Sequence, residues 1–425
     1  MININIIREN PDSIRQGMKK RGIDPAPVDK AVKYDANWRE LLLKVEALKG
    51  ERNTVSKEIG NMKEESERKE KIDAMKIVSS KIKELDEEVR QVETALNDIM
   101  AVLPNIPDER VPEGTRDKDN VEVRHWGEIP EFDFEPKPHW DLGPELGVID
   151  FDRGVKITGS RFYVLSGAGA RLQRAAIAWM LDLHTKQGYT EKYTPFMVKE
   201  ETIFGAGQLP KFKDNLYKDY QEDLYLLPTA EISLTGLHMD EILDEADLPL
   251  AYTAYSPCFR REKMSAGRDV RGIKRGHQFD KVEMYKYCLP DNSDAEFEKM
   301  IADAEETCQL LNLPYRVLLK CAGDTSEAAT ISYDIEVWAA GCQEWLEVSS
   351  ISNVGDFQSR RAHIRYRPTD GGSPKPLHTL NGSGLGMPRV FLALLENNQQ
   401  ADGSVMIPEV LHPWMGGTTV IKKEN

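Results

Sequence analysis

From Trp38 to Met62 the residues Trp38, Leu41, Val45, Leu48, Arg52, Val55, Ile59 and Met62 follow one another at alternating intervals of three and four. Met75, Val78, Ile82, Leu85, Val89, Val92, Leu96 and Ile99 then repeat the same spacing. A repeat of about 3.5 residues draws one stripe along an α-helix, and two such stripes of equal length bury one another most simply when the helices pack together. The charged break Lys63–Lys71 predicts a solvated tip, so the pair reads as an antiparallel hairpin. Each helix would be roughly 40–50 Å long, too long for a compact body to enclose, so the hairpin must project as an arm. The seam also fits a coiled coil that joins two copies of the chain. It identifies an arm without assigning its use.

Proline closes this region. LPNIPDERVPEG, Leu103 to Gly114, cannot continue a helix and places the domain boundary near residues 103–115, dividing the chain into 1–105 and 106–425. The stretch to about Asp152 is proline-rich and reads as irregular surface wrapping. Beyond it, Ala170 to Gln187 carries Leu172, Ala176, Trp179, Met180 and Leu183 on one helical face, with Gly188 as a stop. YTEKYTPFMV, YDIEVW, EWLEVSSIS and HIRYR have the β-branched and aromatic content of strands. Strands outnumber crossover helices, which predicts an α+β body, an antiparallel sheet with helices packed on it.

A net charge of −15 over 425 residues excludes a chain that coats nucleic acid through its global field, and leaves that work to local basic patches. Five cysteines without a CxxC pair show no zinc spacing and suit reduced thiols in the cytoplasm. The opening MININIIREN shows no secretion signal, and no apolar run reaches the length of a membrane span.

One stretch runs against the acidic balance. Between Lys263 and Arg275 stand Lys263, Arg268, Arg271, Lys274 and Arg275 against Asp269 alone, a net +4 in thirteen residues. FRRE before it and HQFDKVEMYKY after it read as the strands of a β-hairpin, with Arg260 and Glu262 on one face and Phe279, Lys281, Glu283 and Tyr285 on one face. A guanidinium fork matches phosphate or carboxylate, an aromatic ring offers a stacking surface, and a carboxylate pairs with an ammonium. Such a hairpin could hold an adenylate. It could equally be an ordinary hairpin with internal ion pairs.

FRREKMSAGRDVRGIKRGHQFDKVE resembles motif 2 of the class II aminoacyl-tRNA synthetases, in the form found in the seryl-tRNA synthetases. TLNGSGLGMPRVFLALLEN resembles motif 3, and GYTEKYTPFMV resembles motif 1 with Pro195 at the dimer-interface proline. LPTAEISL, YDIEVW, EVSSISNVGDFQSRRAHIRYR, RENPDSIRQGMKKRG and ERNTVSKEIG also match this family, so the resemblance covers nearly the whole chain in the right order.

The resemblance implies activation of L-serine by ATP with Mg²⁺, and transfer of serine to tRNA(Ser) and to tRNA(Sec). It implies a homodimer, an arm that grips the variable arm of the tRNA, and a class II catalytic body. Carried over by residue, Thr229, Ala230, Glu231, Glu283, Asn381 and Ser383 would bind serine. Arg260 would bridge the α-phosphate and the serine carboxylate, and with Glu262 and Arg389 would form the catalytic set. Arg261, Glu262, Arg275, Gly276, Phe279, Glu347, Val348, Ser349, Ser350 and Arg389 would contact ATP, with Glu347 and Ser350 holding its Mg²⁺. Two departures stand out: Lys263-Met264 replaces small residues, and Met387-Pro388 precedes Arg389 where glycine is frequent.

SGAGARL and GSGLG lack the third glycine and the βαβ setting of a dinucleotide site, and His277 reads as hairpin framework rather than a base. Two other function classes stay open: an amino-acid-activating relative that loads a carrier protein, and an interaction protein with an inactive synthetase body.

Overall fold

The computed structural model describes residues 1–263 and 271–423, so Met264, Arg268 and Asp269 of the basic stretch lie outside the described residues. Its contacts divide into two units: Ile2–Lys19 with Ile23–Pro104, and Met1, Lys20–Gly22 and Asn105–Asn425.

In the first unit, α1 (Ile4–Glu9) and α2 (Pro11–Lys20) precede two long helices, α3 (Ala26–Asn61) and α4 (Glu65–Val102). Leu41, Val45, Leu85 and Val89 form the buried centre of their seam, with Trp38, Leu48 and Val92 packed around it. At 36 and 38 residues the helices are about 54–57 Å long. α4 exceeds the expected length because most of the charged run is itself helical: only Met62–Glu64 turns, and α4 starts at Glu65, while α3 ends at Asn61 and starts as early as Ala26. Glu, Lys and Arg are good helix formers where no burial is asked of them. Lys71 pairs with Glu58 at 2.7 Å across the end of the hairpin, while Arg8 grips Asp35 of α3 at 2.8 Å.

The second unit is built on an eight-stranded sheet. In chain order its strands are β1 (Val121–Trp126), β2 (Thr190–Glu191), β3 (Leu250–Phe259), β4 (Gln278–Cys288), β5 (Tyr315–Leu319), β6 (Ile331–Ala339), β7 (Glu344–Gly355) and β8 (His378–Gly386). Their spatial order is β1-β5-β6-β7-β8-β4-β3-β2, antiparallel throughout except for the β2–β3 edge. Helices α5 (Gly167–Lys186), α7 (Ser293–Leu310) and α8 (Met387–Asn397) pack on the sheet, and the short α6 (Ala230–Gly236) packs on β3 and β4. Trp179, Met180, Phe297, Ile335, Ile351, Phe391 and Leu395 lie within one buried core.

The sequence expectations of an α+β body and of the hairpin hold. Three local ones are corrected. The 103–152 stretch is not wholly irregular, because the alternating valines of Val121–Trp126 add an edge strand. YTEKYTPFMV is broken: Pro195 separates Thr190–Glu191 from a separate short strand, Met197–Lys199. FRRE is strand only at Phe259, where β3 ends; Arg260–Glu262 leave the ladder, and Glu262 takes a left-handed φ of 50°. All five cysteines are free thiols, and four are buried. Among the described residues no helix is long and apolar enough to cross a membrane.

Leu85 is 7 % exposed at the centre of the hairpin seam. Leu85→Ala is expected to destabilise the arm by about 2–4 kcal/mol. Hydrogen exchange should report this as lost protection within residues 26–102, with the sheet unaffected.

Candidate active site

The chain just beyond β3, the N-terminal half of β4, and the facing parts of β7 and β8 enclose a cavity of about 510 Å³. Thr229, Glu231, Arg260, Glu262, Arg275, Gly276, Phe279, Glu283, Glu347, Val348, Ser350, Asn381, Ser383 and Arg389 all line it. Three further residues that the sequence suggested do not. Ala230 is buried in a neighbouring apolar cluster. Arg261 turns outward, its Nε donating to Leu216 O at 2.9 Å and its guanidinium lying 4.6 Å from the Tyr217 ring. Ser349 is buried with its Oγ donating to Ser383 O at 2.6 Å.

Strand periodicity explains the β4 face: Phe279, Lys281 and Glu283 alternate into the cavity. On β8, Asn381 and Ser383 share a face, and Ser383 sits opposite Glu283 in the β8–β4 register. On β7, simple alternation would send Glu347 and Ser350 to opposite sides. A bulge skips Val348 in the pairing with β6 and brings both into the cavity.

One corner of the cavity is acidic. Thr229 caps α6, accepts from the Glu231 N–H at 3.2 Å, and donates its hydroxyl to Glu283 Oε2 at 2.9 Å. Glu231 Oε1 accepts from Gln358 Nε2 at 2.7 Å and Asn381 Nδ2 at 3.2 Å. Burial, reinforced by Glu283, pushes the Glu231 carboxyl up to about 7. Lys281, to which sequence reasoning gave no role, is the counter-charge: its ammonium pairs with Glu283 and donates to Thr229 Oγ1 at 2.7 Å. Its place between Phe279 and Glu283 on one strand face was the available signal.

Guanidinium groups occupy the rest. Arg260 donates to Pro228 O at 3.2 Å and covers the Phe279 ring at 5.1 Å. Arg275 reaches Glu262 at 3.1 Å. Arg389, in the first turn of α8 after Pro388, donates to Glu347 O at 2.7 Å and Lys274 O at 3.3 Å. Enclosure works against charge on Glu347, but Arg389, Lys320 and Arg260 outweigh it and hold its carboxyl below the usual range. Arg260 lowers the carboxyls of both Glu231 and Glu347, though at Glu231 burial outweighs it. Glu347 and Ser350 are hard oxygen donors on one face, a set that suits Mg²⁺.

Supports lie behind these groups. Asp334, on β6 directly opposite Ser350, is buried and pushed up to about 7 by burial despite Lys320 at 2.7 Å. His277 Nδ1 bonds Arg260 O at 3.0 Å, in keeping with a framework role. Ile273 N–H donates to His139 Nε2 at 3.1 Å, which leaves Nδ1 as the donor to Glu396 at 2.7 Å. Cys342 joins that knot, its thiol 3.1 Å from Glu396.

The raised Glu231 carboxyl makes a prediction about the empty protein. A carboxyl near 7 when folded and near 4.5 when unfolded holds its proton more tightly in the native state, so its stability contribution is full below about 4.5 and lost as pH rises through 7. Glu231→Gln should therefore gain thermal stability relative to the parent between pH 5 and pH 8. Parallel melting curves across that range would contradict the assignment.

The residues match two family models: the N-terminal domain of seryl-tRNA synthetases over 1–107, and the class II tRNA synthetase core (G, H, P, S and T) over 211–398. A serine–tRNA ligase of Roseiflexus sp. (strain RS-1) is 60% identical over 423 residues, covering 100% of both chains. One from Chloroflexus aurantiacus (strain ATCC 29366 / DSM 635 / J-10-fl) is 55% identical over 98% of this chain and 99% of its own. The solved Pyrococcus horikoshii seryl-tRNA synthetase complexed with ATP superposes with a TM-score of 0.95 at 39% identity, covering 100% of both chains.

Proposed function

This chain belongs to the seryl-tRNA synthetase family, ligases that join an amino acid to tRNA, and we propose that it activates L-serine as seryl-adenylate and passes it to tRNA(Ser). The observation that carries the reading is the cavity itself, where an acidic corner for an ammonium meets guanidinium groups for a triphosphate.

In this reading Glu231 and Glu283 receive the serine ammonium, and Thr229, Asn381 and Ser383 surround the side chain and its hydroxyl. Arg260 draws the serine carboxylate and the α-phosphate together. The carboxylate oxygen attacks the α-phosphorus in line, the bond to the β-phosphate oxygen breaks, and pyrophosphate leaves with the electron pair. No protein nucleophile is needed, because positioning and charge neutralisation supply the rate. Phe279 and Glu262 receive the adenine, while Arg275 and Arg389 take the outer phosphates. Glu347 and Ser350 would hold a Mg²⁺ ion, which supplies charge neutralisation on the phosphates. A terminal ribose hydroxyl of the tRNA then attacks the seryl carbonyl and AMP leaves. The same transfer would serve tRNA(Sec).

The unit around the sheet carries activation, and the hairpin carries the grip on tRNA. Lys44 and Lys49 on α3 hold the exposed acids Glu40 and Asp86 at 2.7 and 2.9 Å. Surface pairs of this kind are worth at most about 1 kcal/mol each, so phosphates can replace the acids. A second copy of the chain would cover the motif 1 region, where Pro195 is exposed beside Tyr193 at 84% and Met197 at 40%. A cytoplasmic setting follows for an enzyme that works on tRNA.

Serine, and not threonine or alanine, should drive Mg²⁺-dependent exchange of labelled pyrophosphate into ATP. Faster exchange with another amino acid would overturn the reading. Glu283→Gln should weaken serine use by tens to thousands-fold, the equivalent of about 2–5 kcal/mol, with ATP binding nearly intact. A defect confined to ATP affinity would count against the role. Replacing 28–100 with a short flexible linker should leave exchange within about tenfold while charging at limiting tRNA falls by powers of ten. Equal losses would assign the arm to folding or dimerisation.

A further inference from the structure

One wall of the cavity is made by backbone that has no secondary structure of its own. Ser326, Ala328 and Ala329 line it, within a turn-rich segment from Ala322 to Ala329. Six carbonyls of that segment are held by two side chains and one amide. Arg21 Nη1 donates to Ala322 O at 3.3 Å, Thr325 O at 3.0 Å and Ser326 O at 3.2 Å, and Nη2 donates to Ala329 O at 2.6 Å. Asn105 takes the remaining two, its N–H donating to Glu327 O at 2.7 Å and its Nδ2 to Ala328 O at 2.9 Å. Arg21 Nε completes the set on Asn105 O at 3.1 Å.

Arg21 is 5% exposed, and its partners are carbonyls rather than a carboxylate. The nearest acid that acts on it, Glu327, is itself paired with Lys211. Burying a guanidinium this way is costly unless its fork is fully used, and here the fork meets carbonyls spread along eight residues. A lysine could not reproduce it, having one nitrogen in place of three. In chain order Arg21 and Asn105 stand just outside the two ends of the helical hairpin, far from every residue that lines the cavity.

The place of this wall within the cavity is set by the strands. Asn105 Nδ2 also donates to Val354 O at 2.8 Å. Val354 is two residues beyond Ser352, whose register partner is Asn381, the residue that donates to Glu231. Glu347, at the other end of β7, is seven residues and roughly 20 Å of strand away. The wall therefore belongs to the acidic corner and not to the phosphate end.

We propose that Arg21, assisted by Asn105, is a positioning residue for the amino-acid end of the cavity, holding the 322–329 segment against the place where serine binds. This rests on the serine reading above. Arg21 touches no substrate. It fixes the backbone whose outward face closes the corner around a small side chain.

The test uses the full-length chain with R21M, R21K and N105A. Pyrophosphate exchange is measured with serine varied at saturating ATP, then with ATP varied at saturating serine. Hydrogen exchange is followed over 322–329 and over 278–288. R21M should raise the serine KM by about tenfold or more and leave the ATP KM within about threefold. It should strip protection from 322–329 alone. R21K should recover little, and N105A should show the same pattern at smaller amplitude. A folded R21M with unchanged serine KM and unchanged protection at 322–329 would overturn the proposal. So would equal rises in both KM values with protection lost at 278–288, which is the mark of general structural support. Should R21M fail to fold, N105A decides by the same two readouts. If the parent chain shows no serine-dependent exchange, the serine reading fails, and hydrogen exchange still decides whether Arg21 holds the wall.

Discussion

The register of Gln278–Cys288 between its two antiparallel neighbours decides where the charges of the cavity stand. On one side this strand pairs with Leu250–Phe259, which runs on into Arg260 and Glu262. On the other it pairs with His378–Gly386, which puts Ser383 opposite Glu283 and Asn381 opposite Tyr285. A slip of one residue would turn Phe279, Lys281 and Glu283 away from the cavity together. That slip is resisted further along the same face. Tyr285 and Tyr287 are fully buried, and Tyr285 joins Thr235 and Gln358 in a hydrogen-bonded set. Gln358 in turn holds Glu231. The same strand that seats the charges is thus locked by the aromatic cluster that continues its face.

Bulges and one strained residue depart from this regularity, and each re-aims a polar group. The irregularity at Val348 brings Glu347 to the same side as Ser350, and a second one between Ser383 and Leu385 falls at Gly384. No side chain fits at Gly384, since a Cβ there would lie 2.1 Å from His184 Nε2. Glu262 takes a left-handed backbone that costs about 1–3 kcal/mol in a residue with a side chain. It is retained in the pair with Arg275. At the cavity these departures serve one end, because ideal strands cannot point consecutive polar groups at one small volume.

How much of this could be read beforehand follows the range of the interactions. The seam from Trp38 to Ile99 is local and periodic, so the hairpin was legible; its turn was placed too broadly because charge marks exposure and does not by itself break a helix. Phe279 and Glu283 follow from alternation within one strand, and most cavity residues follow from the family motifs. FRRE misled because its composition suits a strand while the backbone at Glu262 does not. Arg21 was invisible: it sits in the basic run KKRG, and its partners are main-chain carbonyls some three hundred positions away, which no side-chain pattern encodes. Lys320 and Asp334 escaped for a like reason, their pairing being set by the β5–β6 register.

The thiols bear on how the chain can be studied. Cys258, Cys288 and Cys308 are wholly buried, Cys321 is shielded as well, and only Cys342 reaches partway to the surface. Burial pushes the Cys288 thiol up to about 12 and raises those of Cys258, Cys308 and Cys342 as well, Glu396 adding to the effect at Cys342. Alkylating reagents need an accessible thiolate, so the native set should be nearly silent towards maleimides at neutral pH. A single cysteine introduced on the exposed side of the long hairpin would then be the dominant reactive thiol. The natural sequence is in this respect already a labelling background, ready for a fluorophore or spin probe that reports on the arm without stripping any residue from the core.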